Sequence, residues 1–369
     1  MIKILHIADL HIGLEFSRYP TIANQLKQER LNALTLLVNR SNQEGVHAIV
    51  VAGDLFEKLT VPQKLVREVK SIFASFTGEV IIIPGNHDWY NDSASENKVW
   101  DWFLAEPGNN IHFLNQLKQY SFTLDNRDVI FYPCGCHQKH FEFNRIGWVQ
   151  KSIKSEESVN IGIAHGNVEG YGLDEEGRYF NMTPMQLSDA GLDCWLLGHI
   201  HAPHPNTLTA GHELFFFAGN HCSDKWKTNR SGGAWLVQIA EDKKVNAYRW
   251  NNDGICFQER TFTINDESEL ITAIDELTKM SAQKTVLRLN LRGHLSEKEK
   301  SDFENQIVAV TDSFLYKEIN QNIKLKITSE DINKLYPVES IPHSLLLELT
   351  KNEDDELALQ LAYENIKSL

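Results

Sequence analysis

The first 110 residues alternate between short apolar runs and longer stretches that place apolar residues at helical spacing. Residues 3–8, 48–53 and 79–85 are nearly uninterrupted apolar runs rich in Ile and Val, which predicts buried strands. Residues 24–43 and 63–76 repeat apolar positions every three or four residues, which predicts amphipathic helices. Because continuous apolar strands separated by helices are typical of parallel sheets covered on both faces, we expect an α/β arrangement here.

After about residue 120 the helical pattern weakens and strand-like runs follow one another. The runs predicted to be strands are residues 128–135, 159–166, 194–200, 213–220 and 234–240. A β-sandwich flanked by helices accommodates all of them. We therefore predict a mixed α/β (α+β) fold in which residues 1–260 form a sandwich domain.

The pattern changes again near residue 260. Residues 268–280, 285–293 and 297–310 read as helix, strand and helix, which predicts a small α+β domain over residues 261–335. Residues 336–369 read as a linker-like segment followed by two acidic amphipathic helices, which predicts a helical C-terminal tail.

Composition narrows the class of protein. The chain has 369 residues, of which 42% are hydrophobic, enough for one large domain and a smaller one. Its net charge of −14 argues against a surface that coats nucleic acid generally, although a local phosphate-binding groove stays compatible with it. The chain begins without a leader-like segment and contains no apolar run of the roughly 20 residues that a membrane span needs. We expect a cytoplasmic protein with no membrane contact.

The five cysteines form an odd set without a CxxC pair. Free or buried thiols in a reducing compartment fit this set better than a disulfide framework does. Cys134 and Cys136 form a CGC sequence, which we interpret as loop packing rather than as a metal site.

Five short polar motifs each follow a predicted strand, and each contains residues that bind metals or carry protons. They are ADLH (Asp9, His11), GDLF (Asp54), GNHD (Asn86, His87), AHG (His165) and GHIH (His199, His201). Open α/β sheets place their sites at the carboxyl edge of the strands, where these motifs fall. Residues two apart on an extended segment point to the same side, so each of the two paired motifs can hold one cation or two adjacent ones.

The ligand types favour particular metals. Carboxylates, imidazoles and one amide oxygen without a thiolate suit manganese, iron or zinc better than calcium or a structural zinc. A carboxylate such as Asp54 can bridge two cations, and two cations about 3.5–4 Å apart can clamp a phosphoryl group for in-line attack. Each motif alone could be a turn or a hydrogen-bonded histidine. All five occur in order, however, beside the small residues Ala8, Gly53, Gly85, Gly166 and Gly198, and this combination favours a shared metal site.

The order D-x-H, G-D, G-N-H-D, H-G and G-H-x-H, spanning residues 9 to 201, resembles the signature of calcineurin-like metallophosphoesterases. Within that superfamily, ILHIADLHIG, VVAGDLFEK and LLGHIHAP resemble the SbcD and YhaO DNA repair exonucleases. The domain order after residue 260 is similar to the capping domain and partner-binding end of that family.

The resemblance implies two divalent metal ions, which we expect to be Mn²⁺, and a role for each motif. The implied ligands are Asp9, His11, Asp54 and His201 for the first ion, and Asp54, Asn86, His165 and His199 for the second. His87 would be the catalytic histidine, which stabilises the phosphoryl oxygen or protonates the leaving group. We interpret Asp88 as a structural anchor of its turn.

One position departs from the family pattern. SbcD-type nucleases usually carry a histidine three residues after the bridging aspartate, and this chain has Glu57 there. Because that histidine is associated with the exonuclease step, the departure leaves processive exonuclease activity open, while phosphodiester hydrolysis remains expected. Glu57 could orient a water or another ligand, or it could be an exposed carboxylate.

A short basic cluster is a candidate substrate contact. Lys225, Lys227 and Arg230 could neutralise phosphates while the indole of Trp226 stacks on a base. The alternative is a solvated loop.

The remaining histidines carry weaker expectations. His6 alternates with apolar residues in its strand, which predicts a packed or edge-facing side chain. His137 and His140 could line the cleft, and His204 and His221 could touch substrate, but an ordinary structural role is the alternative for each.

These features predict a two-metal-dependent phosphodiesterase that acts on DNA as the exo- or endonuclease subunit of a repair or defence complex. By resemblance, its C-terminal helices would dock on the coiled-coil base of an SbcC-like ATPase, and a homodimer is expected. One alternative is a metallophosphoesterase for nucleotides, phosphoproteins or other small substrates, which the acidic composition favours. The other is a DNA-end-binding scaffold subunit whose catalysis is weak because of Glu57.

Overall fold

A computed structural model describes residues 1–92, 98–105, 108–171, 178–226, 231–351 and 355–367 of the chain. Its strands are β1 (Ile2–Ile7), β2 (Ala48–Ala52), β3 (Glu79–Ile83), β4 (Ile111–Phe113), β5 (Tyr120–Leu124), β6 (Arg127–Cys134), β7 (Phe141–Phe143), β8 (Val159–His165), β9 (Tyr179–Asn181), β10 (Cys194–Gly198), β11 (Thr209–Gly211), β12 (Phe215–Phe217), β13 (Gly233–Ile239), β14 (Val245–Asn251), β15 (Cys256–Thr263), β16 (Thr285–Leu295) and β17 (Tyr316–Leu325). Its helices are α1 (Ala23–Gln43), α2 (Gln63–Ala74), α3 (Lys98–Leu104), α4 (Gly147–Lys151), α5 (Pro184–Asp189), α6 (Glu267–Thr278), α7 (Glu297–Thr311), α8 (Ser329–Leu335), α9 (Ile341–Leu349) and α10 (Glu356–Lys367). The chain divides into two compact units, Met1–Cys256 and Phe257–Leu369.

The first unit is a sandwich of two sheets. One sheet has seven strands in the order β11-β14-β13-β1-β2-β3-β4, and the other has five in the order β12-β10-β8-β6-β5. Strands β1 to β4 are parallel, as are β6, β8, β10 and β12, so both sheets present a run of strand carboxyl ends. The predicted helix-flanked sandwich in a mixed α/β fold is confirmed.

Strand alternation explains why the central strands are apolar on both faces. In β1, Ile2 and Ile4 pack into the core between the two sheets, while Leu5 and Ile7 pack under the helices on the outer face. Each such fully buried aliphatic side chain contributes about 1.5–3 kcal/mol relative to an exposed one.

The helices cover the outer faces of the sandwich. Leu34 of α1 and Phe73 of α2 lie in the core on the outer face of the seven-stranded sheet. Val149 of α4 and Leu187 of α5 lie in the core on the outer face of the five-stranded sheet. Helix α5 begins with a capping box, in which Thr183 and the Gln186 side chain satisfy each other's backbone N–H groups.

The second unit is built on a three-stranded sheet in the order β15-β16-β17. β16 and β17 are parallel, with pairs running from Val286–Tyr316 to Leu295–Leu325. Residues from α6 and α7, such as Leu277 and Phe303, form a core with this sheet. The helix–strand–helix pattern predicted for residues 268–310 is confirmed, whereas β17 and α8 were not predicted.

Helices α8, α9 and α10 share a small apolar cluster of their own, which contains Ile332, Leu346 and Leu359. The predicted division of the chain into residues 1–260, 261–335 and 336–369 stays a prediction.

Two general expectations concern thiols and membranes. All five cysteines are free, four of them are buried and Cys256 is partly buried, so the expectation of free thiols without a disulfide framework is confirmed. In the part of the chain that the structure describes, none of the helices has the length and apolar character needed to cross a membrane.

Candidate metal centre

The polar motifs converge at the carboxyl edge of the sandwich. ADLH, GDLF and GNHD follow the neighbouring strands β1, β2 and β3 of one sheet, and AHG and GHIH end the neighbouring strands β8 and β10 of the other. The structure brings together Asp9, His11, Asp54, Glu57, Asn86, His87, His165, His199 and His201. Five motifs that are far apart in sequence therefore form one site.

Asp54 lies at the middle of this site. Its Oδ2 is 3.3 Å from Nε2 of His165 and 3.7 Å from Nε2 of His11. The His11 Nε2 atom in turn lies 3.2 Å from Nε2 of His201. A single carboxylate oxygen thus faces one imidazole on each side, which is the position that a bridging ligand between two cations needs.

The Asn86 side chain lies between His165 and His199. Its Oδ1 lies 2.9 Å from Nε2 of His165 and 3.1 Å from Nδ1 of His199. The His199 backbone N–H donates to the Asp9 carboxylate at 2.9 Å from Oδ1, which ties the GHIH motif to the ADLH motif.

A backbone carbonyl fixes the orientation of the His165 ring. Its Nδ1 lies 2.8 Å from the Ala52 carbonyl oxygen, which can only accept, so Nδ1 carries the hydrogen and donates it. Nε2 points into the site, toward Asn86 and Asp54, and would offer its lone pair to a cation once the ring is deprotonated. A backbone carbonyl that holds the far nitrogen of a histidine is the usual support for a metal ligand.

Burial and neighbouring charges shift the pKa values of Asp9 and Asp54 in opposite directions. Burial raises the pKa of Asp9 to about 6. Burial would also raise the pKa of Asp54, but the neighbouring His165 ring outweighs it and holds that pKa well below its ordinary range. For His165 itself, burial opposes protonation, yet the Asp54 carboxylate raises its pKa to about 9. The two groups stabilise each other's charges, as a bound divalent cation would stabilise Asp54.

The backbone around the site is strained. Asp9, His11, Asp54 and His199 all have positive φ, at 53°, 45°, 52° and 98°. Non-glycine residues adopt such angles rarely, and strained backbone of this kind clusters at functional sites.

Two glycines permit the close approach of these loops. A Cβ atom at Gly85 would overlap the backbone nitrogen and Oδ1 of Asp54. Gly53 has φ of +88°, and a Cβ there would overlap the His165 ring. Glycine is required at both positions because the polar side chains lie directly against the backbone.

Asp88 anchors the GNHD turn, as predicted. Its carboxylate accepts hydrogen bonds from the Gly85 N–H at 2.7 Å and the Phe56 N–H at 3.0 Å. Its backbone carbonyl accepts from the Trp100 indole. Burial, and then the nearby Asp54, raise the pKa of Asp88 to about 7.

His87 occupies the rim of the site. Its backbone N–H donates to Oδ1 of Asp54 at 2.8 Å, and its Nδ1 lies 3.1 Å from the Glu57 carbonyl oxygen, which can only accept. About a third of the side chain is exposed, whereas the Asp54 and His165 side chains are almost completely buried. The histidine is therefore held at one nitrogen and leaves the other for a group that arrives from solvent.

Glu57 contacts two histidines of the candidate site, His11 and His87. Its Oε2 lies 2.9 Å from Nδ1 of His11 and its Oε1 lies 3.7 Å from Nδ1 of His87. Of the two interpretations left open by the sequence, the structure shows the one in which Glu57 orients another site residue. Burial lowers the pKa of His11, but the hydrogen bond to Glu57 and the charges of Asp54 and Asp9 together outweigh burial and raise it.

Sequence reasoning missed three residues behind or beside the site. Arg30 of α1 is buried, and its Nε donates to the Leu10 carbonyl at 2.7 Å and its Nη2 to the Asp9 carbonyl at 3.3 Å. Asp224 places Oδ2 3.9 Å from Arg30 Nη1 and 3.7 Å from His201 Nδ1. Tyr179 of β9 lays its ring against His199, with centroids 4.8 Å apart.

The predicted basic cluster is only partly described. Lys225 is exposed, and its charge contributes to lowering the pKa of His201 to about 2, after burial and His11. Lys227 and Arg230 lie outside the described residues. The proposed stacking role of Trp226 is wrong, because its indole is buried and packs edge-on against Tyr19 at 5.5 Å.

The weaker histidine candidates have mixed outcomes. His6 and His221 are completely buried, and the His221 Nε2 donates to the Arg30 carbonyl at 2.9 Å, so neither ring faces the site opening. His140 lies against Tyr179 at 5.3 Å, next to the ring that contacts His199. His137 packs edge-on against Phe141, and His204 stacks on Phe215.

The donor set suits divalent cations. Among the described residues, three groups of ligand atoms lie within 4.8 Å of one another, namely Asp9–His11–His201, Asp9–Asp54–His165 and His11–Glu57–His87. These groups combine carboxylate oxygens and imidazole nitrogens and share members, and Asn86 adds an amide oxygen. The Cys136 thiol donates to the His165 backbone carbonyl at 3.5 Å, so this thiol is engaged with the backbone. Mixed oxygen and nitrogen ligands of this kind fit manganese, iron or zinc.

Comparison with known proteins agrees with this chemistry. Residues 2–203 match the family model of the calcineurin-like phosphoesterase. Over 247 residues the chain is 26% identical to the "uncharacterized metallophosphoesterase YhaO" of Bacillus subtilis (strain 168), a match that covers 64% of this chain and 57% of that protein. The chain thus spans little more than half the length of this relative.

Two solved structures match this chain at low sequence identity and low TM-score. The TT1561 protein of Thermus thermophilus is 11% identical with a TM-score of 0.39, over 67% of this chain and 98% of that one. A dimetal phosphatase from Danio rerio is 12% identical with a TM-score of 0.38, over 67% of this chain and 96% of that one.

Proposed function

The chain belongs to the calcineurin-like phosphoesterase family, and from this premise we propose that it is a two-metal-dependent phosphodiesterase that acts on DNA. Membership of the family implies a metal-dependent phosphoester hydrolase. The observation that carries the proposal is the convergence of seven ligand side chains, with Asp54 at their middle and a partly exposed histidine at the rim. This arrangement separates His87, which can transfer a proton, from the groups that would hold metal.

The ligands divide into two overlapping sets in this proposal. Asp9, His11, Asp54 and His201 would hold one ion, and Asp54, Asn86, His165 and His199 would hold the other. When bound, two divalent ions, which we propose to be Mn²⁺, supply Lewis-acid polarisation of the phosphoryl group and of the attacking water.

The chain's own residues supply positioning and proton transfer. Hydrogen bonds from backbone groups to Asp9 and Asp54 hold the two carboxylates in place. The His87 ring, held by Nδ1 at the Glu57 carbonyl, presents Nε2 to a substrate, where a proton on Nε2 can pass to the departing oxygen. General acid catalysis of this kind contributes about 10²–10⁴-fold in rate.

Resemblance to the SbcD and YhaO sequences supports DNA as the substrate. It also supports an SbcC-like coiled-coil ATPase as the partner, a homodimer as the assembly state and the cytoplasm as the location. Exposed apolar side chains on the C-terminal helices, including Ile341 and Leu345 on α9 and Leu357 and Leu361 on α10, are suited to a partner helix.

Three substrates test the proposal. The Mn²⁺-loaded protein is incubated with a supercoiled plasmid, a DNA hairpin and a chromogenic phosphodiester, and the same protein in EDTA is the control. We expect metal-dependent cleavage of all three. Hydrolysis of the small ester with both DNA substrates intact would refute the DNA assignment and leave the phosphoesterase assignment standing.

That outcome would favour a second candidate, a phosphoesterase for nucleotides, phosphoproteins or other small substrates. The net charge of −14 favours it, because a highly acidic chain repels a polyanion. The alternative of a weakly catalytic DNA-end-binding scaffold rests on Glu57, whose contact with His11 makes it part of the centre.

A further inference from the structure

A second candidate binding site lies in the second unit, whose sequence contains none of the five polar motifs. A cavity of about 620 Å³ is lined by side chains from β16, β17, α7 and α10. Its polar lining includes His294, Lys300, Lys324, Tyr363, Glu364 and Lys367. Sites for small organic ligands have volumes of roughly 300–1,000 Å³, so the cavity has the size of a ligand site.

The cavity carries an excess of positive charge. Its one carboxylate, Glu364, already accepts hydrogen bonds from Lys324 Nζ at 2.6 Å and His294 Nε2 at 2.8 Å. This one acid therefore faces three lysines. The excess is unusual in a chain with 50 acidic and 36 basic side chains.

Two of these lysines have no acidic partner within the described part of the chain. Lys300 forms no side-chain hydrogen bond or ion pair there. Lys367 places its amine over the Tyr363 ring, 5.7 Å from the centroid, and pairs with no described carboxylate. Two ammonium groups that line one cavity and pair with no carboxylate among the described residues favour an anionic ligand.

We propose that this cavity binds a nucleotide with at least two phosphate groups. Lysine amines bind phosphates as point charges, and Lys300, Lys324 and Lys367 supply three of them from separate elements. Ile323, Leu325 and the Tyr363 ring give the lining an apolar part against which a base can lie. The proposal is independent of the metal centre and of its substrate.

The test is calorimetric titration of the full-length chain in EDTA, with ATP and inorganic tripolyphosphate as probes. EDTA removes metal-mediated phosphate binding at the first unit. We expect saturable binding of both probes, with ATP the tighter because its base contributes. Lys300→Gln and Lys367→Gln should each weaken ATP binding about 5- to 10-fold, and the double variant should lose it.

Two exposed lysines outside the cavity provide matched controls. Lys334 pairs with Glu330 and Lys351 with Glu348, so Lys334→Gln and Lys351→Gln change the charge equally without changing the cavity. Both should bind ATP as the unaltered chain does, and all variants should keep phosphodiester hydrolysis. Absence of saturable binding at millimolar ATP, or equal weakening by the control variants, would overturn the site. Tripolyphosphate binding as tight as ATP would overturn the assignment to a nucleotide.

Discussion

The interior of the sandwich and the carboxyl edge of its strands each bury histidines, but the pKa of the buried ring shifts in opposite directions at the two places. His6, in the middle of β1, is completely buried, and this burial, together with the charge of Arg249, lowers its pKa to about 3. His165, equally buried at the end of β8, lies 3.3 Å from the Asp54 carboxylate, which raises its pKa to about 9. Burial alone therefore does not set the charge of a histidine. The carboxylate oxygen atoms at neighbouring strand ends decide it.

The contrast between the interior and the edge should be lost most completely if the Asp54 carboxylate is neutralised. Asp54→Asn keeps the size of the side chain but removes the charge that faces His11 and His165. We expect both metal ions to be lost and phosphodiester turnover to fall on the order of 10³-fold or more. Metal content by mass spectrometry and turnover of a chromogenic phosphodiester measure these effects. Two tightly bound ions in the variant would contradict the central role of Asp54.

A substitution at the rim should separate metal binding from proton transfer. His87→Gln removes the ring that Glu57 holds but leaves the buried ligands in place. Turnover should fall about 10²–10⁴-fold while the metal content stays at the value of the unaltered chain. His112→Gln is the control, because His112 pairs with Glu79 at 2.6 Å outside the site. If His87→Gln also loses metal, His87 is a ligand and not the proton donor.

A smaller effect is expected from substitution of Arg30. Its side chain is buried like those of the interior, but it contacts the backbone at the carboxyl edge. It holds the carbonyls of Asp9 and Leu10 in a segment where Asp9 has φ of 53°. Arg30→Met should weaken Mn²⁺ binding about 10- to 100-fold, because outer hydrogen bonds orient metal ligands.

The control for Arg30 lies in the same helix. Arg40 places its guanidinium over the Trp250 ring, 4.1 Å from the centroid, and belongs to no part of the site. Arg40→Met should lower the melting temperature without changing Mn²⁺ affinity, as measured by calorimetry. Equal Mn²⁺ affinities of the two variants would show that Arg30 only stabilises the fold.

The sequence predicted the residues of the edge because each follows an apolar run. The strands that carry the motifs are buried on both faces, so their composition is unambiguous, and parallel pairing places their ends together. β14, with alternating buried and exposed residues and an exposed Tyr248, gave no such run and was missed.

The supporting residues could not be predicted because their roles depend on packing between distant segments. Arg30 lies in an amphipathic helical pattern, where a charged residue normally faces solvent, yet it is buried against the Asp9–Leu10 carbonyls. Trp226 lies in a basic segment that looks like a stacking surface, yet Tyr19 covers its indole. Neither contact has a signal in the local sequence.

The last prediction concerns the interior alone. The substitution that tests it, His6→Leu, should leave activity unchanged at neutral pH. The unfolded chain binds a proton at His6 near pH 6.5, whereas the folded chain does not until about pH 3. Stability is therefore lost as the pH falls below about 6.5, by roughly 1.4 kcal/mol per pH unit for this ring. His221, whose pKa burial and Arg30 also lower to about 3, should contribute a similar slope.

His6→Leu should remove one of these two contributions. Urea unfolding in EDTA at pH 7.5, 6.5 and 5.5 should give free energies of unfolding that fall less steeply for His6→Leu than for the unaltered chain. The difference should grow by about 1 kcal/mol between pH 6.5 and 5.5, because the unfolded chain goes from half to almost full protonation of His6 over this range while the folded ring stays uncharged. EDTA keeps metal release from contributing to either slope. Parallel curves would mean that the interior tolerates a charged imidazole, and the contrast between His6 and His165 would then rest on something other than the neighbouring carboxylate.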